Sequence, residues 1–393
     1  MAAVLPEIGW AFLKLGCVSF GGPVAHLGYL HAEFVAKRRW IDEAAYADLV
    51  ALCQFLPGPA SSQLVFALGQ RRGGLAGAFL ASVCFTLPSA VLMILFGYGV
   101  TAIADLRQAG WLHGLKLAAV AVVAQAVWGM GRKLCPDRAR ITLALLAAAG
   151  VLLAPHAAAQ VGIIVAGGWA GYWIYRGETQ SAGVAPARWA RHHGWAAGTL
   201  IAFGALLLLL PLAASASGER PVALFDSFYR AGSLVFGGGH VVLPLLRAEV
   251  VPPGWVSDDA FLAGYGAAQA LPGPLFTFAA YLGTVIDGGA GAWRGGLWCL
   301  FAIFLPAWML IGGALPFWDV LRGRAWTQAA LRGANAAVVG ILLAALYDPV
   351  WTQGVMGVRD VAAVFVAFAL LEVWRMPPWL VVILAAAAGQ WLL

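Results

Sequence analysis

Long apolar runs recur along the whole chain and constrain its fold more than any other feature. Several of them reach the ~20 residues with which a helix spans the hydrocarbon core of a bilayer. Charged residues make up only 11% of the chain, whereas about 25% is usual in a soluble domain. This pattern predicts an all-α polytopic membrane protein. The runs occupy residues 76–100, 115–130, 141–154, 161–175, 195–213, 296–317, 329–346, 361–373 and 379–393.

The sequence also contains two copies of one unit. Residues 12–23, FLKLGCVSFGGP, match residues 228–239, FYRAGSLVFGGG. After a one-residue deletion, QFLPGP at 54–59 matches QALPGP at 269–274. Two blocks in the same order and at nearly the same separation indicate a duplication. We therefore expect a first repeat at 1–194, a linking span at 195–221 and a second repeat at 222–393.

Loop charges predict how the two copies are oriented. Lys and Arg mark cytoplasmic loops, and they flank the Leu-Pro-Gly-Pro segment of the first copy on both sides, whereas Asp flanks that of the second. The copies therefore face opposite ways, as in many secondary transporters. Each Leu-Pro-Gly-Pro segment, and likewise each Phe-Gly-Gly segment at 20–22 and 236–238, is the tip of a re-entrant hairpin. We expect about nine full spans plus four hairpins, or up to thirteen membrane segments. The charges are Lys37, Arg38, Arg39, Arg71 and Arg72 in the first copy, and Asp258, Asp259 and Asp287 in the second.

The broken segments predict an anion site. A half-helix that begins at mid-membrane points unpaired N–H groups and the positive end of its dipole toward its tip. Glycine at such a tip lets a ligand approach the backbone, and proline suits the first helical turn. Four such tips would converge on an anion, helped by matched cations and matched amides. The candidate substrate-binding residues are Lys14, Gly21, Gly22, Pro23, Gln54, Pro57, Gly58, Pro59, Ser61, Ser62, Arg230, Gly237, Gly238, Gly239, His240, Gln269, Pro272, Gly273, Pro274 and Thr277.

Each candidate also has a purely structural interpretation. The two matched cations lie near segment starts and could snorkel to the lipid headgroups. The matched glutamines could satisfy broken backbone, and the hydroxyls that follow the tips could cap helices. The matched acids Glu33 and Glu249 could carry protons, but pairing with Arg39 and Arg247 is the favoured interpretation.

Other classes of function leave no trace in the sequence. It contains no HExxH, GxSxG or GxxxxGK[ST] motif, so we expect no enzyme activity and no bound nucleotide. The five cysteines show no CxxC spacing, and we expect no metal and no other cofactor. The formal net charge of +6 is spread over loops, which indicates membrane orientation rather than nucleic-acid binding.

These motifs resemble one known family. FGGP at 20–23, RWID at 39–42 and QFLPGP at 54–59, with their echoes in the second half, are similar to the chromate ion transporter family in its long-chain, two-domain form. The resemblance implies export of chromate from the bacterial cytoplasm across the inner membrane, chromate resistance, and sulfate as a chemically similar oxyanion. The second copy has Gly239 where the first has Pro23, so the two halves are not equivalent.

The resulting hypothesis is a secondary oxyanion transporter that works by alternating access. Lys14 and Arg230 would supply charge, the glycines would supply N–H groups, and Gln54 and Gln269 would orient oxygens. Its partners would be the oxyanion and the lipid bilayer, with a homodimer as an option and no nucleic acid. A passive anion channel, a subunit of a larger complex and a sulfate importer remain alternatives.

Overall fold

The computed structural model describes residues 4–102, 109–154, 156–177, 193–236, 239–289, 291–318 and 325–391. Within these ranges the secondary structure is helical and no strand occurs, so the predicted all-α membrane fold is confirmed. The helices are α1 Val4–Val18, α2 Gly22–His31, α3 Glu43–Phe55, α4 Ala60–Thr101, α5 Gly110–Leu134, α6 Arg138–Leu153, α7 Ala157–Tyr175, α8 His193–Ser217, α9 Arg220–Ser233, α10 Val242–Val250, α11 Asp258–Ala270, α12 Phe278–Asp287, α13 Trp293–Ala314, α14 Ala325–Ala345, α15 Val358–Glu372 and α16 Pro378–Trp391.

Each predicted apolar run falls mainly on one of these helices, and the last run extends beyond residue 391 into residues that the structure does not describe. Five helices in the described ranges are long and apolar enough to cross a membrane: α4, α5, α8, α13 and α14 with its C-terminal extension. Helices α12 and α16 are apolar but shorter. Many of their outward side chains are apolar, and Ile201 and Leu208 of α8 are 72% and 71% exposed. Such a surface suits a lipid environment. The predicted total of spans and hairpins stays a prediction.

Helix α4 contains a reversal of the chain. Gly73 and Gly74 leave the helical conformation, and Gly74 adopts φ +64° and ψ −159°. A Cβ on Gly69 would lie 2.5 Å from the carbonyl oxygen of Gly77, a residue eight positions later in the chain. A continuous helix would separate these residues by about 12 Å. The first thirteen residues of α4, 60–72, therefore form a short arm that runs antiparallel to the long apolar segment 75–101.

The second repeat builds the same shape with a longer break. Helix α12 ends at Asp287, Gly288 has φ +63°, and α13 begins at Trp293. A Cβ on Gly283 would touch the carbonyl oxygen of Gly295, so α12 and α13 also double back on each other. The helices that precede the two Pro-Gly-Pro segments match as well. Asp42 and Ser257 occupy equivalent positions, and each accepts the N–H three residues later as the N-cap of α3 or α11.

Most buried apolar side chains in the described part of the chain belong to two large clusters, and two small clusters lie beside them. The first cluster joins α1 to α4 with residues of α13, and Phe12, Phe34 and Phe66 lie at its centre. The second cluster joins α5 and α9 to α14, and includes Phe261 and Phe278. Because α13 of the second repeat contributes to the first cluster, each half is packed against the other. This packing brings the Pro-Gly-Pro segments of the two copies into one region.

Candidate functional site

Two matched tips interrupt the helices at the Pro-Gly-Pro segments. In the first copy α3 ends at Phe55 and α4 begins at Ala60. In the second copy α11 ends at Ala270, and a short 3-10 turn at Leu275–Thr277 leads into α12. Gly58 and Gly273 have φ +114° and +98°, a conformation that only glycine adopts readily. We call residues 56–59 the first tip and residues 271–274 the second tip.

Each tip is held by the opposite copy. The N–H of Gly58 donates to the carbonyl oxygen of Val235 at 2.6 Å, and the N–H of Gly273 donates to that of Ser19 at 2.8 Å. Ser19 and Val235 are themselves matched residues, each one position before the Phe-Gly-Gly motif of its copy. The two hydrogen bonds are therefore equivalent under the repeat, and they join the two tips to the two Phe-Gly-Gly breaks.

The surroundings of the two tips differ. Beside the first tip, Gln63 donates from Nε2 to the carbonyl oxygen of Pro57 at 2.7 Å, and Ala307 is the nearest residue of α13. Beside the second tip, the residue that corresponds to Ala307 is Ser89, whose Oγ would lie 2.6 Å from a Cβ on Gly273. The second tip thus packs closely against Ser89, whereas the first tip borders a cavity.

The cavity beside the first tip has a volume of about 480 Å³. Its wall combines both copies with helices that lie outside the matched blocks. Four of the predicted site residues lie on it, namely Gln54, Gly58, Gly239 and His240. The remaining lining residues are Leu27, Cys53, Leu56, Ala60, Val122, Gln125, Ala126, Gly129, Met130, Lys133, Leu134 and Asn335.

The polar groups of this wall suit an anion. Lys133, in the last turn of α5, is its one cation, and none of the lining residues is acidic. Ala60 is the first residue of α4, whose N-cap Pro59 provides no side-chain acceptor, so the N–H groups of Ala60 and Ser61 have no intrahelical partner, whereas that of Ser62 donates to the carbonyl oxygen of Pro59 at 2.9 Å. Gln54 and Asn335 add side-chain amides. A lysine, a helix N-terminus and neutral amides are groups that bind oxyanions.

Two further polar residues of the wall are held by neighbours. Gln125 donates from Nε2 to the carbonyl oxygen of Leu371 at 3.2 Å and to Glu372 at 3.3 Å. The Nδ1 of His240 lies 2.8 Å from the hydroxyl of Tyr265 on α11. Both side chains are therefore fixed before a ligand enters.

Two other predicted site residues, Ser61 and Ser62, lie at the start of α4 near the buried His26, which was not predicted. His26 is buried between the carbonyl oxygen of Ser19, 3.0 Å from its Nε2, and the hydroxyl of Ser61, 3.4 Å from its Nδ1. Ser62 is also buried, and its Oγ has no partner among the described residues. This polar group connects the start of α4 with the contact that holds the second tip.

The predicted site residues beside the second tip differ in whether their side chains already have a partner. Thr277 donates from Oγ1 to the carbonyl oxygen of Pro274 at 2.8 Å, which is a local bond within the turn and not a helix cap. Gln269, the counterpart of Gln54, has a buried Nε2 without a partner in the described part of the chain. Gly273 contacts the first repeat through Ser19, whereas substrate binding by Pro272 and Pro274 stays a prediction.

The two predicted cations lie away from the cavity. Lys14 is exposed on α1. Arg230 binds two carboxylates, since its NH1 and NH2 donate to Glu249 at 2.8 Å and its Nε and NH2 donate to Asp226 at 2.9 to 3.1 Å. The charge of Arg230 is therefore already compensated. Substrate binding by these residues stays a prediction, and neither lies on the cavity wall.

The expected partners of the matched acids were wrong. Glu33 pairs with Lys37 and Arg38 rather than with Arg39. Glu249 pairs with Arg230, and Arg247 binds Asp258 instead. Arg39 has φ +53° at the turn before α3, which directs it differently from its neighbours. Loop residues close in sequence can point in different directions, so sequence distance did not identify the partner.

The Phe-Gly-Gly breaks are described in the first copy only. Gly21 and Gly22 have φ +96° and +74°, and α2 starts there with Pro23 in its first turn, as predicted. The side chain of Pro23 lies outside the described residues, as do Gly237 and Gly238. In the second copy the described chain resumes at Gly239 in a 3-10 turn that leads into α10.

Sequence reasoning missed four residues around the cavity. Gln125, Lys133 and Asn335 lie on α5 and α14, outside the matched blocks. Polar side chains within or beside the apolar runs 115–130 and 329–346 were the signal that could have found them, because such residues are costly in a membrane. Tyr265 gave no such signal, since tyrosine is common in membrane helices.

Comparison with known proteins adds to this geometry. The profile of the chromate transporter family matches residues 6–172 and again residues 222–390. The chain belongs to the chromate transporter family. The two matches agree with the duplication, and the family consists of transporters. No solved structure matches the chain.

Three relatives illustrate the membership. The chromate transport protein of Pseudomonas aeruginosa is 30% identical over 98% of this chain and 92% of that protein. The probable chromate transport protein of Synechococcus elongatus is 26% identical over 98% of this chain and 95% of its own length. An uncharacterized transporter of Bacillus subtilis is 33% identical but matches 41% of this chain with 81% of its own length, so it corresponds to about one copy.

Proposed function

We propose that this protein is a secondary transporter that exports chromate from the bacterial cytoplasm across the inner membrane. The observation that carries the proposal is the cavity beside the first tip, whose wall comes from both copies and combines one cation with neutral donors. Two relatives that match nearly the full chain, one named chromate transport protein and the other probable chromate transport protein, support the choice of substrate. Chromate resistance would follow from export, and no catalytic step is needed.

The cavity is suited to a hydrated oxyanion. At about 480 Å³ it is larger than a single tetrahedral ion needs, so the ion would enter with several waters. Lys133 would attract the ion, and the N-terminus of α4 with Gln54 would replace part of its water shell. Without an acidic residue on the wall, the site opposes no anion by charge.

Loop charge supports the direction of transport. Lys133 lies in the last turn of α5 beside Arg132, and Arg138 and Arg140 follow in the next helix. A short loop this basic is expected on the cytoplasmic side. The cavity would then be open to the cytoplasm in this conformation, where an exporter collects its substrate.

The repeat supports alternating access. Each tip is held by the opposite copy through an equivalent hydrogen bond, from Gly58 to Val235 and from Gly273 to Ser19. In an inverted repeat, exchanging the conformations of the two copies turns a cavity on one side into a cavity on the other. A cavity beside the first tip and close packing of Gly273 on Ser89 at the second tip are the asymmetry expected of one end state.

Flux measurements test this proposal directly. The purified chain is placed in proteoliposomes, and uptake of radiolabelled chromate and sulfate is followed with a pH gradient or a membrane potential imposed in turn. We expect chromate flux, accelerated by unlabelled chromate on the opposite side, because a carrier exchanges substrate. Flux without such acceleration would indicate a channel, and flux of sulfate alone would indicate a sulfate transporter. The absence of any flux would indicate a chain that needs a partner. Each of these results would overturn the proposal.

A further inference from the structure

The contact between His240 and Tyr265 determines which ring nitrogen of His240 carries a hydrogen. Tyr265 is completely buried in α11, and its hydroxyl lies 2.8 Å from Nδ1 of His240. No other hydrogen-bond partner of this hydroxyl occurs among the described residues. A buried hydroxyl without an acceptor is costly, so the phenol donates its hydrogen to Nδ1.

This direction fixes the state of the imidazole. An Nδ1 that accepts a hydrogen bond carries no proton, so the ring is neutral and its proton is on Nε2. His240 lines the cavity. Its Nε2–H can only donate, like the ammonium group of Lys133 and the first N–H groups of α4. This imidazole, the lysine and the helix N-terminus are therefore donors, and the side-chain acceptors of the wall are neutral amide oxygens.

The pair is absent from the first copy. His240 corresponds to Val24, and Tyr265 corresponds to Val50. Both members of the pair are thus replaced by the same apolar residue at the matched positions. A histidine and a tyrosine that occur together in one copy and are both missing from the other indicate that the two side chains act as a unit.

We infer that Tyr265 is a positioning residue that holds His240 as an Nε2–H donor, and that the cavity thereby selects fully deprotonated tetrahedral oxyanions over hydrogen phosphate. Chromate and sulfate present four acceptor oxygens. Hydrogen phosphate has similar size and the same double charge, but one of its oxygens carries a proton that needs an acceptor. When the hydroxyl of hydrogen phosphate meets a fixed N–H donor, neither of the two hydrogens has an acceptor. A site whose polar groups must all be paired strongly rejects an analogue that leaves one of them unpaired.

The remaining acceptors on the wall do not remove this selection. They are the amide oxygens of Gln54, Gln125 and Asn335, which are neutral, and no carboxylate lines the cavity. A carboxylate would be the strong acceptor for a phosphate hydroxyl. The inference rests on the proposed function, because it specifies the class of substrate that this same cavity takes.

Competition binding tests the inference without requiring transport. Radiolabelled chromate is bound to the purified chain in detergent at mildly alkaline pH, where chromate and sulfate carry no proton and phosphate retains one. We expect sulfate to displace chromate at least about tenfold more effectively than phosphate does. Tyr265→Phe should weaken chromate binding about tenfold and reduce the preference for sulfate over phosphate. Tyr281→Phe is the matched control, since Tyr281 is equally buried but donates to the carbonyl oxygen of Ala260, away from the cavity.

A second variant separates positioning from a structural role. In His240→Gln the side-chain amide supplies a donor that does not depend on Tyr265, so binding should be largely retained, whereas His240→Ala should lose it. Tyr265→Phe should then cost nothing further in the His240→Gln background. An equal cost of Tyr265→Phe in both backgrounds would overturn the positioning role, and equal competition by phosphate and sulfate would overturn the selectivity. Absence of chromate binding by the wild-type chain would refute the proposed function, and the inference with it.

Discussion

Replacing Gly58 by alanine tests whether the first tip controls transport. Gly58 has φ +114°, and its N–H donates to the carbonyl oxygen of Val235 at 2.6 Å. A Cβ at this position would lie 3.0 Å from Nε2 of Gln63 and 3.5 Å from Cβ of Ala307. The methyl group therefore meets the side chain that satisfies the carbonyl oxygen of Pro57. Gly58→Ala perturbs both the backbone of the tip and the amide that supports it.

The expected cost follows from these two effects. A left-handed conformation costs a residue with a Cβ about 1–2 kcal/mol. Displacing Gln63 from Pro57 forfeits a hydrogen bond worth about 1 kcal/mol. The engaged tip is therefore destabilised by about 2–3 kcal/mol, which corresponds to a change of about 30- to 150-fold in its population. We expect chromate flux per folded molecule to fall by one to two orders of magnitude, measured in proteoliposomes beside the unfolding temperature.

A second glycine separates backbone strain from the role of the tip. Gly254 has φ +74° in the loop before α11, and a Cβ there would meet no atom within 4 Å. Gly254→Ala should lower stability through its backbone alone and leave flux per folded molecule unchanged. The reasoning is refuted if Gly58→Ala and Gly254→Ala transport chromate at the same rate.

Two further substitutions examine the charges. Lys133→Gln should raise KM for chromate about tenfold and change kcat little, because it removes the cation that attracts the ion. Arg132 is the neighbouring residue off the cavity wall, and Arg132→Gln should leave KM unchanged. An equal rise of KM in both variants would assign the effect to surface charge. Arg230→Gln should lower the free energy of unfolding by about 3–5 kcal/mol, because it leaves the carboxylates of Asp226 and Glu249, whose side chains are only 6% and 11% exposed, without their cation. Thermal unfolding and the yield of folded protein measure this loss, and a variant of wild-type stability would contradict it.

The sequence predicted the features of this fold that depend on local chemistry. The apolar runs predicted the helices, because a chain in lipid must form hydrogen bonds between its own backbone groups. The Pro-Gly-Pro motifs predicted the breaks between helices, because proline lacks an N–H and because Gly58 and Gly273 adopt conformations that other residues avoid. The duplication also indicated which residues would occupy equivalent places, and the equivalent bonds to Ser19 and Val235 follow it.

The site was harder to predict because it depends on which faces of distant helices pack against each other. Arg230 and Lys14 are matched in sequence, yet Arg230 has Asp226 one turn away, and Trp10 stands at the position that corresponds to Asp226. The same repeat position is therefore neutralised in one copy and exposed in the other. Lys133 lies outside the matched blocks and reaches the cavity only through the packing of α5.

Protection of a cysteine at position 54 tests most directly whether chromate occupies the cavity. Gln54 is exposed on the cavity wall, and Cys17 is the exposed native cysteine among the described residues, so Gln54→Cys is made in a Cys17→Ser background. The reaction of this thiol with a hydrophilic maleimide is timed with and without chromate, and Trp10→Cys, on the exposed face of α1, is the control. We predict that chromate slows modification at position 54 severalfold and leaves position 10 unaffected. Equal rates at position 54 with and without saturating chromate would contradict the placement of the substrate beside the first tip.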